Sequence, residues 1–219
     1  MASVTPERVE QFGDVYTGAV SDILDELGHE RFTLPSSLKP LRAGMRLAGP
    51  AFPVRGRPVP QRQYDASIRR ILTMLGEVPA GAIAVYETHD SESAHLGELS
   101  LTALSVRGCR GVVVDGGVRD VRYLLDTGLP VFSRYVTPVD SVPRWGLLDW
   151  GDAVTIGDVE IRAGDILVAD EDGIVRVPAS LADEVLERSR ELVSTENGVR
   201  AAVRSGVPPL EAYDRFGKF

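Results

Sequence analysis

From Val9 the chain places apolar residues at Phe12, Tyr16, Val20, Ile23, Leu24 and Leu27, steps of three and four that share one face of a helix. Thr5 offers an N-cap and Pro6 suits the first helical position, where its missing N–H costs nothing. Gly28 ends the run, and Gly13 and Gly18 divide it into two predicted helices. Between Met45 and Pro58, short apolar pieces broken by Pro and Gly predict strand and turn. Ile68, Ile71, Leu72 and Leu75 then mark a helix over Tyr64 to Leu75, and Pro79-Ala80-Gly81 punctuates a buried strand from Ala82 to Tyr86.

The middle third alternates: a helix near Leu99 to Arg107, a strand from Gly111 to Val114, a helix near Asp120 to Asp126, and a strand from Pro130 to Ser133. Such alternation predicts strands joined by crossover helices. After Val136 the turn signals Gly151-Asp152, Gly157-Asp158 and Gly164-Asp165 predict hairpins, with strands Asp165 to Ala169 and Ile174 to Val177. Ser180 opens a closing helix with Leu181, Val185, Leu186 and Leu192 on one face; a second short helix from Asn197 to Ser205 precedes a tail ending at Phe219. With no low-complexity segment and no long linker, residues 1–219 read as one α/β domain, its core at about 19–196 and its carboxy-terminal helices and tail at 197–219.

Charge narrows the partners. Lys and Arg number 24 against 32 Asp and Glu, a net charge of −8 that disfavours a nucleic-acid backbone. Cys109 is the only cysteine, which excludes an intramolecular disulfide, a zinc ribbon and a redox CxxC pair, and reads as a packing residue. Charged residues in Met1 to Glu10 and the lack of any apolar stretch near the ~18 residues of a spanning helix predict a cytoplasmic protein with no membrane partner.

Candidate chemistry concentrates in Val112-Val113-Val114-Asp115-Gly116-Gly117-Val118-Arg119-Asp120. A buried strand running into glycines and a helix start delivers side chains and bare N–H groups to the carboxyl end of a sheet. There Arg119 can clamp a carboxylate and Asp120 can supply a hard oxygen to Mg²⁺ or Mn²⁺, or the two can simply cap and solvate the helix. Gly97-Glu98-Leu99-Ser100 repeats the design: its N–H groups suit a small carboxylate and Glu98 a cation, or Glu98 only favours the helix dipole. His89, Asp90, Glu92 and His95 fit no zinc spacing and read as a loop; His29 reads as a surface or cap residue. Arg122 can meet a second substrate carboxylate or pair with Asp126. Trp145 and Trp150 read as flanking a turn at a subunit contact. No G-x-S-x-G, G-x-G-x-x-G or G-x-x-x-x-G-K-[ST] pattern occurs, which removes the usual serine-hydrolase, dinucleotide and NTP sites.

From Glu98, twenty residues (99 through 118) lead to Arg119-Asp120, inside G-E-L…R-G…V-V-D-G-G-V-R-D…P-V-F. With the later segment from Ala163 to Gly173, this closely resembles the RraA-like family, from about Ala19 to Glu196. That family includes the class II 4-hydroxy-4-methyl-2-oxoglutarate and 4-carboxy-4-hydroxy-2-oxoadipate aldolases and the regulators of ribonuclease activity A. The resemblance implies a swivelling β/β/α fold, a homotrimer or a hexamer of two stacked trimers, and active sites between subunits. It implies that Arg119 binds the pyruvyl carboxylate or enolate oxygen, that Asp120 is the direct ligand of Mg²⁺ or Mn²⁺, and that backbone N–H groups of Gly97, Glu98, Leu99 and Ser100 hold a small 2-keto acid. Glu98 and, from a neighbouring subunit, Glu196 would reach the metal through water. The aldolases typically carry Asp at the position of Glu98, and the chain is longer at its carboxy terminus than the short regulators. The implied activity is cleavage of a 4-hydroxy-2-oxo diacid, with oxaloacetate decarboxylation through the same enolate; a lyase for another 2-keto acid and a non-catalytic binder of a ribonuclease or helicase are the alternatives. With Lys39 and Lys218 the only lysines, Schiff-base chemistry is disfavoured. A methyltransferase role lacks a nucleotide-cofactor fingerprint.

Overall fold

A computed structural model describes residues 5–60 and 64–219. In chain order the elements are α1 (Pro6–Phe12), α2 (Thr17–Glu26), β1 (Lys39–Pro40), β2 (Leu47–Pro58), α3 (Tyr64–Glu77), β3 (Ile83–Glu87), β4 (Ala94–Leu96), α4 (Glu98–Val106), β5 (Gly111–Val118), α5 (Val121–Asp126) and β6 (Val131–Val136). There follow β7 (Trp145–Trp150), β8 (Ala153–Ile156), β9 (Val159–Arg162), β10 (Ile166–Ala169), β11 (Ile174–Val177), α6 (Ala182–Arg204) and α7 (Pro209–Phe216). Thr5 caps α1 by accepting from the Arg8 N–H at 3.4 Å, and Pro6 opens the helix, as its sequence predicts.

β2, β3, β5 and β6 form a parallel array, with β4 alongside the end of β5. β1 and β7 add antiparallel edges, and β10 and β11 extend the sheet beyond β2 in the order β1-β6-β5-β3-β2-β10-β11. β8 and β9 form a separate hairpin around Gly157-Asp158. On one sheet face α3, α4 and α5 bury Met74, Leu101, Leu104 and Leu124 against Ala84, Tyr86, Val112 and Val114. On the other, Ile83, Val85, Val113 and Phe132 meet Val154, Ile156 and Ile161 of the hairpin. This is the β/β/α layering that the resemblance implies. A third cluster seats α1, α2 and α6 on β10 and β11 through Phe12, Val20, Leu24, Val185 and Leu186.

Several sequence expectations change. The stretch read as strand and turn before Pro58 is one twelve-residue strand, β2. Its first residues pair with β10 and, from Ala51 on, its partner is β3, so Pro50, which has no N–H to give, falls at the hand-over. β5 continues through Gly116 and Gly117 to Val118. A Cβ at Gly117 would lie 2.7 Å from the Ser93 carbonyl, so these glycines let the neighbouring chain approach the strand instead of ending it. Gly18 lies inside α2 and divides nothing; Gly13 caps α1 alone. The helix read from Asn197 is the end of the 23-residue α6, and the tail contains α7. Gly198 is there to clear Phe216, whose ring a Cβ would approach at 2.9 Å. Leu72 is 57% exposed, because α3 buries Met74 and Leu75 instead.

Trp145 and Trp150 stand at the two ends of β7 and do not flank a turn. Trp145 is a core residue whose indole N–H donates to the Thr88 carbonyl at 2.8 Å; Trp150 donates to Glu77 at 2.7 Å and lies under the Arg70 guanidinium. Cys109 is buried, bonded to the Ala82 carbonyl at 3.0 Å, and burial pushes its thiol up, as suits a packing residue. Among the described residues no helix is long and apolar enough to cross a membrane.

A Cβ on Gly56 would lie only 2.0 Å from Cζ2 of the buried Trp145 ring. Gly56→Ala is therefore expected to destabilise the fold at the upper end of the roughly 1–3 kcal/mol typical of overpacking, read as a lower urea midpoint at unchanged m-value.

Candidate functional site

Two strand-to-helix crossings meet at the carboxyl end of the sheet. β4 passes into α4 at Gly97, β5 passes into α5 at Asp120, and the Arg119 N–H donates to the Leu96 carbonyl at 2.9 Å, stitching the two together. A Cβ on Gly97 would sit 2.6 Å from Asp120 Oδ2 and 3.2 Å from Arg119 Cγ, so the approach requires glycine. Asp120 adopts left-handed φ 59° and ψ 36°, a conformation uncommon outside glycine. Its carboxylate makes no cap bond to its own helix; Oδ2 accepts the Glu98 N–H at 3.1 Å. The helix-capping alternative for Asp120 is thus not what its side chain does.

Arg119 is half-buried between two carboxylates, its Nε 3.8 Å from Asp120 Oδ2 and its Nη1 3.6 Å from Asp140 Oδ1. Leu101 makes the first backbone bond of α4, to the Gly97 carbonyl at 3.0 Å, so the N–H groups of Leu99 and Ser100 precede any intrahelical bond. The four-residue cradle narrows, because the Glu98 donor is already engaged. The Glu98 side chain is half-buried and has no hydrogen-bond or ion-pair partner among the described residues. Beside this cluster Leu99 is 81% exposed, and Val106 and Tyr123 of the same two helices are also exposed.

Gly97, Glu98, Leu99, Ser100, Arg119 and Asp120 are therefore brought together. Glu196 is not: it lines a groove of about 310 Å³ along α6 with Val199, Val203 and Phe219. Arg122 is exposed and makes no ion pair with Asp126 among the described residues, so the predicted pairing does not form. Among those residues no group of three His, Cys, Asp or Glu side chains forms a ready metal cage.

The loop before β4 is a buried network that sequence reasoning left as a loop. Asp90 accepts from the Ser93 hydroxyl, from the Glu92 N–H at 2.9 Å and from His95 Nε2 at 3.1 Å. The Tyr135 hydroxyl donates to the Asp90 and Ser93 carbonyls, each at 3.2 Å. The His95 side chain is 1% exposed and packs edge-on to Trp145. Burial pushes its pKa down to about 4 against the opposing pull of Asp90. Burial works to raise Asp90, but the Ser93 and Glu92 hydrogen bonds and His95 outweigh it, and the carboxyl lies below its ordinary value. The network sets the path of β4 and so the position of Gly97. Asp140 was missed because it arrives from the segment after β6, docked by the Ala94 N–H to the Val139 carbonyl at 2.8 Å, and nothing in its own neighbourhood signals that meeting.

Known proteins resemble this chain over most of its length. The RraA-like family, described as Aldolase/RraA, matches residues 17–176. A Halalkalibacterium halodurans protein named "Putative 4-hydroxy-4-methyl-2-oxoglutarate aldolase" is 27% identical, covering 97% of this chain and 96% of its own. An Alkalilimnicola ehrlichii protein of the same name is 32% identical over 74% of this chain and 95% of its own. The crystal structure of Streptomyces coelicolor RraAS2, described as an unusual member of the RNase ES inhibitor RraA protein family, superposes with a TM-score of 0.80 at 27% identity, covering 91% of this chain and 98% of its own.

His95 gives a pH-dependent stability. With a folded pKa near 4 against 6.5 unfolded, the unfolded chain binds more protons below pH 6.5, so stability falls as the pH drops from about 6.5 towards 4. The loss amounts to roughly 3 kcal/mol. The depressed Asp90 carboxyl acts lower, its contribution disappearing only below its unfolded pKa of 3.8. Urea midpoints between pH 7 and 4.5 should show the decline, and His95→Gln should flatten it; a flat wild-type curve would mean that His95 is not held neutral by burial.

Proposed function

The chain belongs to the RraA-like family, and we propose that it is a divalent-metal-dependent lyase that cleaves a 4-hydroxy-2-oxo diacid, such as 4-hydroxy-4-methyl-2-oxoglutarate, through a pyruvate enolate. The observation that carries this reading is the convergence of Arg119, Asp120 and the open α4 amino terminus over Gly97. A binding surface alone has no use for a left-handed Asp held against an Arg and free backbone donors.

In this reading Arg119 and the N–H groups of Leu99 and Ser100 bind the 2-keto acid carboxylate, fixing the C3–C4 bond for cleavage. As that bond breaks, its electron pair moves into the C2–C3 bond and the keto oxygen gains negative charge, which the adjacent Arg119 guanidinium stabilises. The C4 hydroxyl proton leaves to a water oriented by Glu98, and C4 becomes the carbonyl of the second product. Oxaloacetate decarboxylation passes through the same enolate, with CO₂ as the leaving fragment. No lysine competes for the role: Lys218 pairs with Glu26 at 2.6 Å and Lys39 reaches the Asp172 carbonyl.

The donor set fits Mg²⁺ or Mn²⁺, hard cations that take one or two carboxylates, substrate oxygens and several waters without a protein cage. Asp120 would hold the ion directly, with Glu98 and a neighbouring subunit's Glu196 acting through water; once bound it supplies Lewis-acid polarisation of the keto group. A site shared within a homotrimer or a hexamer of two trimers is supported by Leu99, Val106 and Tyr123, which leave an apolar surface beside it. A cytoplasmic setting suits a 2-keto acid substrate.

The test is pyruvate release from 4-hydroxy-4-methyl-2-oxoglutarate and from oxaloacetate with Mg²⁺, Mn²⁺ or EDTA. Release is expected only with metal, falling by about 10²-fold or more in Arg119→Ala and to background in Asp120→Ala, with circular dichroism unchanged. Turnover of oxaloacetate alone would retain the enolate chemistry for another 2-keto acid. Silence on both would favour a regulator, the role described for the family of the Streptomyces structure. For the shared site, mixing inactive Arg119→Ala and Glu196→Ala proteins should restore activity after subunit exchange; failure despite verified exchange would remove Glu196 from the site.

A further inference from the structure

The proposed chemistry turns on Arg119, yet its side chain is 38% exposed. A guanidinium on a flexible stem open to solvent samples several rotamers, and only some of them aim its fork of donors at a substrate carboxylate. Asp120 restrains one end of it, with Oδ2 3.8 Å from Arg119 Nε. That oxygen also accepts the Glu98 N–H, and the same carboxylate is the proposed ligand of the divalent ion. Asp140 is the second restraint, with Oδ1 3.6 Å from Arg119 Nη1, and no step of the proposed reaction uses it.

Asp140 is itself held from several directions. The Thr137 N–H donates to the Val118 carbonyl at 3.0 Å, tying this segment to the residue before Arg119. The Val139 carbonyl accepts the Ala94 N–H at 2.8 Å, and Asp140 forms a parallel bridge with Ala94, the first residue of β4. The Arg144 guanidinium donates to the Asp140 carbonyl at 2.8 Å. The side chain is fixed as well, because Oδ1 accepts the Val142 N–H at 3.2 Å in an Asx turn. β4 leads through Gly97 into α4, so the carboxylate beside Arg119 and the free N–H groups of Leu99 and Ser100 are placed from the same strand. Of the two partners the carboxylate is anchored and the guanidinium has room to move.

We propose that Asp140 is a positioning residue for the substrate-binding arginine, fixing the direction of the Arg119 guanidinium before the 2-keto acid arrives. Its catalytic consequence rests on the lyase reading, whereas the orientation of Arg119 does not. At 3.6 Å the attraction directs the guanidinium without saturating its donors. A negative charge beside an anion-binding site would, acting as charge alone, repel the substrate. Charge and direction therefore predict opposite results when the charge is removed.

Asp140→Asn makes that separation, since the amide oxygen still accepts the Val142 N–H and keeps the turn while the charge is lost. For whichever of 4-hydroxy-4-methyl-2-oxoglutarate and oxaloacetate the wild-type protein turns over, kcat/KM for pyruvate release is expected to fall by about tenfold or more. In an Arg119→Lys background the same substitution should change kcat/KM by less than about threefold, because an ammonium has no fork to aim. A rise in kcat/KM, as relief of repulsion alone would give, or an equal fall in both backgrounds, as a purely structural turn would give, overturns the proposal. A crystal structure of the full-length Asp140→Asn variant needs no turnover. There the Arg119 guanidinium should stand about 1 Å or more from its wild-type position or occupy several rotamers, and an unmoved guanidinium overturns the proposal. If the wild-type protein releases pyruvate from neither substrate, the lyase reading fails, and the variant's crystal structure still decides whether Asp140 orients Arg119.

Discussion

The candidate site depends on one close approach. Gly97 and Asp120 belong to separate strand-to-helix crossings, and the absence of a Cβ on Gly97 lets the Asp120 carboxylate reach the Glu98 N–H at 3.1 Å. Everything else in the cluster follows from that contact. It turns Asp120 away from its own helix, holds it in the left-handed region and leaves Arg119 projecting between Asp120 and Asp140. The strain is sustained from outside, by the Arg119 to Leu96 backbone bond and by the buried loop that carries β4 into place. A residue held in a costly conformation by surrounding packing is a common mark of a functional position.

β2 is the mechanical counterpart of that contact. Its twelve residues touch β10, β3 and β7 in turn, so one strand links the terminal helical cluster, the parallel array and the antiparallel edge. Alternation along β2 also separates the two faces. Gly56 makes room for Trp145 on the helix side, whereas Arg55 and Arg57 point towards the hairpin. Trp145 in turn packs against His95, so the fit of a core indole bears on the path of β4 and on the placement of Gly97.

What was legible in the sequence had local causes. A glycine and an acidic residue opening a helix at Gly97-Glu98, and a strand running to Arg119-Asp120, announce a carboxyl-end site because their meaning lies within a few residues, whereas β4, which delivers Gly97, went unread. The α/β character and the crossover helices were legible for the same reason, since alternation and turn residues record them directly, whereas the β/β/α layering came only as what the family resemblance implies. What was not legible depends on partners far along the chain. Asp140 reaches Arg119 from twenty-one residues away (140 − 119), and the buried state of His95 depends on Trp145, fifty residues on (145 − 95). Asn197-Gly198 reads as a break until Phe216 is seen to need the space.

Ion pairing separates arginines that serve the fold from one held ready to bind. Arg55 is held by Asp149, Arg134 by Asp115, Arg110 by Glu10 at 2.7 Å and Arg188 by Glu26 at 2.6 Å, all within hydrogen-bonding distance. Arg119 is flanked by two carboxylates yet bonded to neither, at 3.8 and 3.6 Å. At those separations, with the side chain half-exposed, the attraction orients the guanidinium while its donors remain unspent. An incoming carboxylate can then take them bidentately without first breaking an internal pair. Two carboxylates just beyond bonding range thus give what neither a tight ion pair nor an unrestrained surface arginine would: a cation fixed in direction and still available to bind.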